Sequence, residues 1–255
     1  LANGTLVVLI SETLDLTPTS DEINLDRLYL ANTPLDIDDR VVLTGATPVE
    51  SDSIYITVTL TEEQRVKAIQ TSGTQGGDGT AVTLEGEARA FNDLSSNDNL
   101  PFDSKTVTEL EDNILPTIQS AKLNYSTGVL IIFASETIDA DASNHASTLG
   151  NPMVLVDKIR ISQVTGSDVS APSALDVVLT GATVTVTEAT SVTITLTEQQ
   201  RVDAIAISGT PGGDGTAVVL DVFANAIQDI GQNKNIDGTG KRNRAVSETW
   251  YRIPP

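Results

Sequence analysis

Two acidic loops hold the side chains of this sequence best suited to chemistry. One runs Asp229-Ile230-Gly231-Gln232-Asn233-Lys234-Asn235-Ile236-Asp237, the other Asp93-Leu94-Ser95-Ser96-Asn97-Asp98-Asn99. Oxygen-bearing side chains at alternate positions of a loop can converge on one Ca2+, which takes roughly 6–8 oxygen ligands. Each loop has acids elsewhere in the chain that could complete such a shell, Glu12 and Asp15 for one and Glu136 and Asp139 for the other. The candidate ligands are therefore Glu12, Asp15, Asp93, Asn97, Asn99, Glu136, Asp139, Asp229, Asn233 and Asn235. The same Asp and Asn residues also suit Asx-turns and caps, and the sequence leaves both readings open.

Other chemistries find less support. The 35 acidic residues against 15 basic ones give a formal charge of −20. Phosphate binding needs a Lys/Arg face, so nucleic acid and anionic membrane surfaces are excluded as expected partners. With no cysteine, disulfides, thiolate-bound metals and thiol catalysis are excluded too. A glycosidase would need two carboxyls in a cleft, but so many acids make chance pairs inevitable, and aromatic residues to bind sugar are scarce. His145 is the single histidine, in a segment that is not repeated, and no Gly-x-Ser-x-Gly elbow accompanies it. The chain is expected not to be an enzyme. Trp250 and Tyr251 offer a possible ligand platform or inter-domain packing. Asn3-Gly4-Thr5 and Asn124-Tyr125-Ser126 fit the N-glycosylation acceptor pattern at Asn3 and Asn124.

The elements that position these residues occur twice. Val41-Val42-Leu43-Thr44-Gly45-Ala46-Thr47 recurs at 177–183, and Gly76-Gly77-Asp78-Gly79-Thr80 recurs at 212–216. Across 41–84 against 177–220, about two-thirds of positions are identical without a gap, which marks an internal repeat. Ser11-Glu12-Thr13 pairs with Ser135-Glu136-Thr137 at a different offset, so the length differences fall in polar stretches around 144–151 and 166–173. Val192, Ile194 and Leu196 alternate with threonines, as do Ile54, Ile56, Val58 and Leu60 with their neighbours; this period of two predicts half-buried strands. Leu6–Ile10 and Val129–Phe133 are short continuous apolar runs, which predict strands at the centre of a sheet.

One helix interrupts each copy. Thr61 with Gln64, and Thr197 with Gln200, have the spacing of a capping box. Val66 and Ile69, and Val202 and Ile205, are the expected packing face, with Gly73 and Gly209 as C-terminal stops. The predicted fold class is all-β: two tandem sandwich domains, each with one short helix in a crossover. The expected boundaries are residues 1–112, 113–252 and, for the start of a further copy, 253–255. Leu115–Ala121 reads as an opening strand that the first copy lacks before Leu1, while Ile253-Pro254-Pro255 resembles Ile114-Leu115-Pro116. These ends suggest a piece of a longer array, or else are cuts without biological meaning.

The order Ser-Glu-Thr, Leu-Thr-Gly-Ala-Thr, Thr-Leu-Thr-Glu-x-Gln-Arg, Gly-Gly-Asp-Gly-Thr resembles bacterial Ig-like tandem repeats of large surface, adhesin and S-layer proteins. That resemblance implies an extracellular, cell-surface stalk, layer or filament, often stiffened by Ca2+, whose partners are neighbouring repeats or like subunits. Two rival expectations are a carbohydrate- or protein-binding surface module and a strand-exchanging subunit of an extracellular filament.

Overall fold

The computed structural model of the chain describes residues 3–17, 23–32, 40–141, 153–163, 172–185, 187–236 and 243–249. The chain divides into two compact units, Leu1–Ile114 and Leu115–Pro255, and the fold is all-β. The first unit contains β1 (Thr5–Leu14), β2 (Leu28–Ala31), β3 (Val41–Val42), β4 (Thr47–Pro48) and β5 (Ser53–Thr59). Helix α1 (Glu62–Gln70), β6 (Thr83–Gly86) and β7 (Phe102–Thr106) complete it. The second unit contains β8 (Ile118–Asn124), β9 (Val129–Ile138), β10 (Ile159–Ser162), β11 (Asp176–Val178) and β12 (Thr183–Val184). Then follow β13 (Ala189–Thr195), helix α2 (Glu198–Ala206), β14 (Val219–Val222) and β15 (Asn243–Thr249).

In the second unit one eight-stranded sheet runs β11-β10-β14-β15-β8-β9-β13-β12. Its two halves face each other, because Leu130, Ile132 and Ile194 from one half share a core with Ile159, Ile161 and Leu220 from the other. Strand β8 joins the halves, antiparallel to β9 and parallel to β15. The first unit repeats this order in two separate sheets, β3-β2-β6-β7 and β1-β5-β4, around a core that includes Leu30, Ile56, Val58 and Leu84. The alternation read from sequence sets most of the residues that enter these cores: Val192, Ile194 and Leu196 are all buried, as are Ile56, Val58 and Leu60, but Ile54, near the start of β5, is 41% exposed. The run Val129–Phe133 lies in β9, between β8 and β13, as a continuous apolar run predicts. The matching run Leu6–Ile10 lies in β1, which ends its sheet with β5 as its neighbour.

Both helices begin with the expected capping box. The Thr197 hydroxyl accepts from the Gln200 backbone N–H at 3.3 Å, and the Gln200 side-chain oxygen accepts from the Thr197 N–H at 2.8 Å. The same glutamine also ties the helix to the sheet: its Nε2 donates to the Val178 and Thr180 carbonyls at 3.0 and 2.9 Å. Gln64 does this in the first unit, donating to Val42 and Thr44. That anchor turns the helix so that the residue four positions on, Ala68 or Ala204, is fully buried. Ile69 is buried, but Val66 is only half-buried and Val202 is 45% exposed, so the expected packing face is shifted round the helix.

The helix ends also differ from expectation. Neither Gly73 nor Gly209 has a left-handed φ; Ser72 and Ser208 instead donate their hydroxyls to the Ile69 and Ile205 carbonyls at 2.7 and 2.8 Å. The required glycines come later, in the Gly-Gly-Asp-Gly turn. A Cβ on Gly77 would lie 2.1 Å from the Ser72 carbonyl oxygen, and Gly213 meets Ser208 in the same way.

One feature of the second sheet leaves no pattern in the sequence. Arg160 and Asp221 are opposite one another on β10 and β14, both buried, and Arg160 also lies 3.7 Å from Asp176 Oδ2 and over the Phe223 ring. In the first unit Tyr29 holds the strand position opposite Glu85, and the cation arrives from Arg40, 2.9 Å from Glu85 and stacked on Tyr29. Burying an acid requires a local cation, and the two units supply it from different places.

Replacing Gln200 with alanine is expected to remove the cap and leave two sheet carbonyls without their donor. A loss of about 2–3 kcal/mol should appear as a lower denaturant midpoint for the second unit. A loss below about 0.5 kcal/mol, the scale of an ordinary surface substitution, would contradict the anchoring role.

Candidate metal centre

Each acidic loop is held by one asparagine that replaces missing backbone partners. In the second unit Asn235 is buried; its Oδ1 accepts from the Ala226 and Ile227 N–H groups at 2.8 and 2.9 Å, and its Nδ2 donates to Phe223 O at 2.9 Å. Asn99 clamps the first loop in the same way, accepting from Ala90 and Phe91 and donating to the Glu87 and Leu100 carbonyls. Four residues take left-handed φ at matching places, Arg89 and Ser96 in one loop and Asn225 and Gln232 in the other.

At the tip of each loop stands an aspartate. Asp93 Oδ1 accepts from the Ser95 and Asn97 N–H groups at 2.8 and 2.9 Å, while its Oδ2 accepts from Asn97 Nδ2 at 2.8 Å. The Asn97 side chain, with the backbone bonds from Asn97 and Ser95, holds the Asp93 carboxyl below its ordinary pKa. Asp229 Oδ1 accepts from Asn233 N at 2.8 Å in the same turn. Asn97, Asn99, Asn233 and Asn235 therefore all serve the loops as turn and clamp residues.

A single bridge draws each loop against the end of a strand, Leu14 with Asp93 and Ile138 with Asp229. This contact brings the predicted strand-end acids to the loop in the second unit. Asp139 is buried there; its N–H donates to Gln228 O at 2.9 Å, and Gln228 Nε2 approaches its Oδ2 at 3.5 Å. Glu136 is buried as well, next to Ser135 on β9. Thr117 and Ser135 exchange two hydrogen bonds at that point, of 3.0 and 2.9 Å.

In the second unit, carboxylate oxygens of Glu136 and Asp229 lie within 4.8 Å of each other, and both residues are buried. This acidic cluster could hold a metal ion. Its donors are all carboxylate oxygens, the set preferred by hard divalent cations over zinc or copper. Sequence reasoning pairs Glu136 with the Asp229 loop, as the structure does. In the first unit, Asp112 accepts from Arg65 Nη1 at 2.6 Å. Burial alone would lower the Arg65 pKa; the hydrogen bonds and charges of Glu62 and Asp112 outweigh it and raise it.

The first unit places its counterparts differently. Glu12 is exposed, Asp15 and Asp93 are half-buried and Asn97 is exposed. Among the described residues no group of three acids forms around them. Asn3 is exposed in a turn with its Oδ1 accepting from Thr5 N, and Asn124 ends β8 with its Oδ1 accepting from Ser126 N. Trp250, Tyr251 and His145 lie outside the described residues. No protein-family model, curated protein or solved structure matches the chain.

Replacing Asn97 with alanine is expected to move the Asp93 titration midpoint upward, toward the ordinary aspartate value, in a carboxyl-detected NMR titration. Because the folded carboxyl titrates low, the loop's bonds persist above that midpoint and are lost as pH falls through it. An unchanged midpoint would show that Asn97 does not set the Asp93 charge.

Proposed function

We propose that this chain is a structural or adhesive module of an extracellular array, built of Ig-like repeats and binding Ca2+ at its buried acids. The observation that carries this reading is the duplication of supporting devices. The capping glutamine, the Gly-Gly-Asp-Gly turn, the asparagine clamp and the aspartate turn each occur twice, in the same order and with the same bonds. These devices hold a scaffold in shape. Selection for a stackable unit would repeat such devices, whereas a catalytic site needs side chains that depart from the scaffold pattern.

The formal charge of −20 favours an extended, soluble array through self-repulsion, and a divalent cation is its natural counter-charge. Calcium fits the acid group better than magnesium. It accepts flexible geometry and several carboxylates, whereas Mg2+ demands a near-ideal octahedron and keeps its waters. Neighbouring repeats or like subunits are the natural partners of such a module, and the cell surface its natural place.

Differential scanning calorimetry in millimolar CaCl2 and in EDTA tests the calcium part. Calcium is expected to raise the melting temperature by several degrees, because a ligand bound only to the folded state stabilises it. The double variant Glu136→Gln, Asp229→Asn should fold in EDTA at least as stably as the parent, since it removes close like charges, and should lose the calcium-dependent shift. Identical melts of the parent chain in calcium and EDTA would refute the metal site.

A further inference from the structure

Leu28, Leu30 and Leu84 turn into the core of the first unit, so Tyr29 of β2 and its partner Glu85 of β6 stand on the opposite face of their sheet. A hollow of about 340 Å³ opens on that face. Tyr29, Arg40, Glu85, Glu87, Pro101 and Asp103 line it, and the first unit supplies all of them. Its volume is at the lower end of those typical of small-ligand sites, and its lining brings an aromatic ring and several charged groups together.

Strand register identifies the matching place in the second unit. Tyr29 pairs with Val42 and Glu85, as Arg160 pairs with Val178 and Asp221. Continued along the repeat, Arg40 corresponds to Asp176, Gly86 to Val222 and Glu87 to Phe223. The second unit fills its place from within: Arg160 and Phe223 are 3 and 2% exposed, with the guanidinium over the ring and 3.7 Å from Asp176. The first unit leaves its place open. Arg40 lies over the Tyr29 ring and 2.9 Å from Glu85, while Glu87, in the position of Phe223, is exposed and accepts from the Tyr29 hydroxyl at 2.9 Å. The hollow therefore coincides with side chains that depart from the repeated scaffold.

We infer that this hollow binds a small organic cation, a primary ammonium group carried on a sugar or an aliphatic chain. Three carboxylates line it against one guanidinium, and that guanidinium is paired with Glu85. Arg27, which does not line the hollow, lies 3.6 Å from Glu87 Oε2. Burial raises the Tyr29 phenol above its ordinary pKa, and Glu87 raises it further by more than the charge of Arg40 lowers it. The field in the hollow is thus negative, which favours a cation. An ammonium group donates in three directions, and the exposed Glu87 and Asp103 carboxylates are its acceptors at the rim. Among the described residues these carboxylates do not gather within 4.8 Å as a metal-holding group of three would. Spaced acceptors suit a molecule with spaced groups rather than a bare ion. The inference is independent of calcium, so it is tested in EDTA.

The probes are glucosamine and pentane-1,5-diamine, titrated into the full chain and followed by NMR chemical shifts, with glucose and pentane-1,5-diol as neutral controls. At least one amine is expected to give saturable shifts at Tyr29, Arg40, Glu85, Glu87 and Asp103, and the neutral controls none. Which amine binds more tightly tells a sugar carrier from an aliphatic one. The double variant Glu87→Gln, Asp103→Asn changes two exposed side chains and so keeps the fold, which its spectrum checks; it should bind the amine at least about tenfold more weakly. Diffuse attraction of amines to an acidic surface would survive that change, and would also move the signals of Arg160, Asp221 and Phe223 in the second unit. Three results would overturn the proposal: no saturable shifts with either amine, equal shifts with the neutral controls, or unchanged binding by the double variant.

Discussion

A strand buried in a sheet has two edges, and each carries N–H and C=O groups that need partners. Much of this protein follows from how that requirement is met at β8. Placed between β9 and β15, this one strand converts two half-sheets into a single surface folded around the core of the second unit. It brings Ala121 and Leu123 into that core and draws Ser135 onto Thr117 by two hydrogen bonds. Where no such strand stands, the same remaining strands form two separate sheets and the core side of β1 is partly exposed. The repeated sequence blocks are about two-thirds identical, so the difference arises from one element rather than from divergence of the scaffold.

The parts of the fold legible in the sequence are those governed by local rules. Alternation in Thr193-Ile194-Thr195-Leu196 identifies a half-buried strand because side chains on a strand take opposite faces. Thr197 and Gln200 identify a helix start because the capping box needs only four adjacent residues. Legibility stops where a residue's role depends on a distant partner. Val202 fits a helical apolar face, yet the bond from Gln200 to the Val178 and Thr180 carbonyls turns it outward. Arg160 occupies a strand position where an apolar residue would be expected, and its reason is Asp221 on a neighbouring strand and Asp176 on another.

Asparagine illustrates why a candidate site is only half visible in sequence. Alternate Asp and Asn residues in a loop describe a calcium shell and a network of Asx-turns equally well. The fold divides the work between them. Asn99 and Asn235 hold the loop backbone, and Asn97 and Asn233 hold the tip aspartates. The aspartates are left to face the strand ends. The asparagines thus fix where the carboxylates stand, and the carboxylates alone carry the charge that would attract a cation.

The tripeptide Ser-Glu-Thr tests this division most directly, since it occurs in both units, followed by Leu14-Asp15 in one and Ile138-Asp139 in the other. Glu136 is buried and lies close to Asp229, whereas Glu12 is exposed. Residue type, strand position and the bridge to the aspartate loop are the same in the two cases. In the second unit Thr117, at the entry to β8, pairs with Ser135, the residue before Glu136. Among the described residues of the first unit nothing does the same for Ser11. A glutamate in solvent is an ordinary surface charge, but one buried beside another carboxylate must recruit a cation or a proton, because like charges in a low dielectric repel strongly. The same tripeptide thus stands buried beside an aspartate on a strand with two neighbours and at the surface on a strand with one.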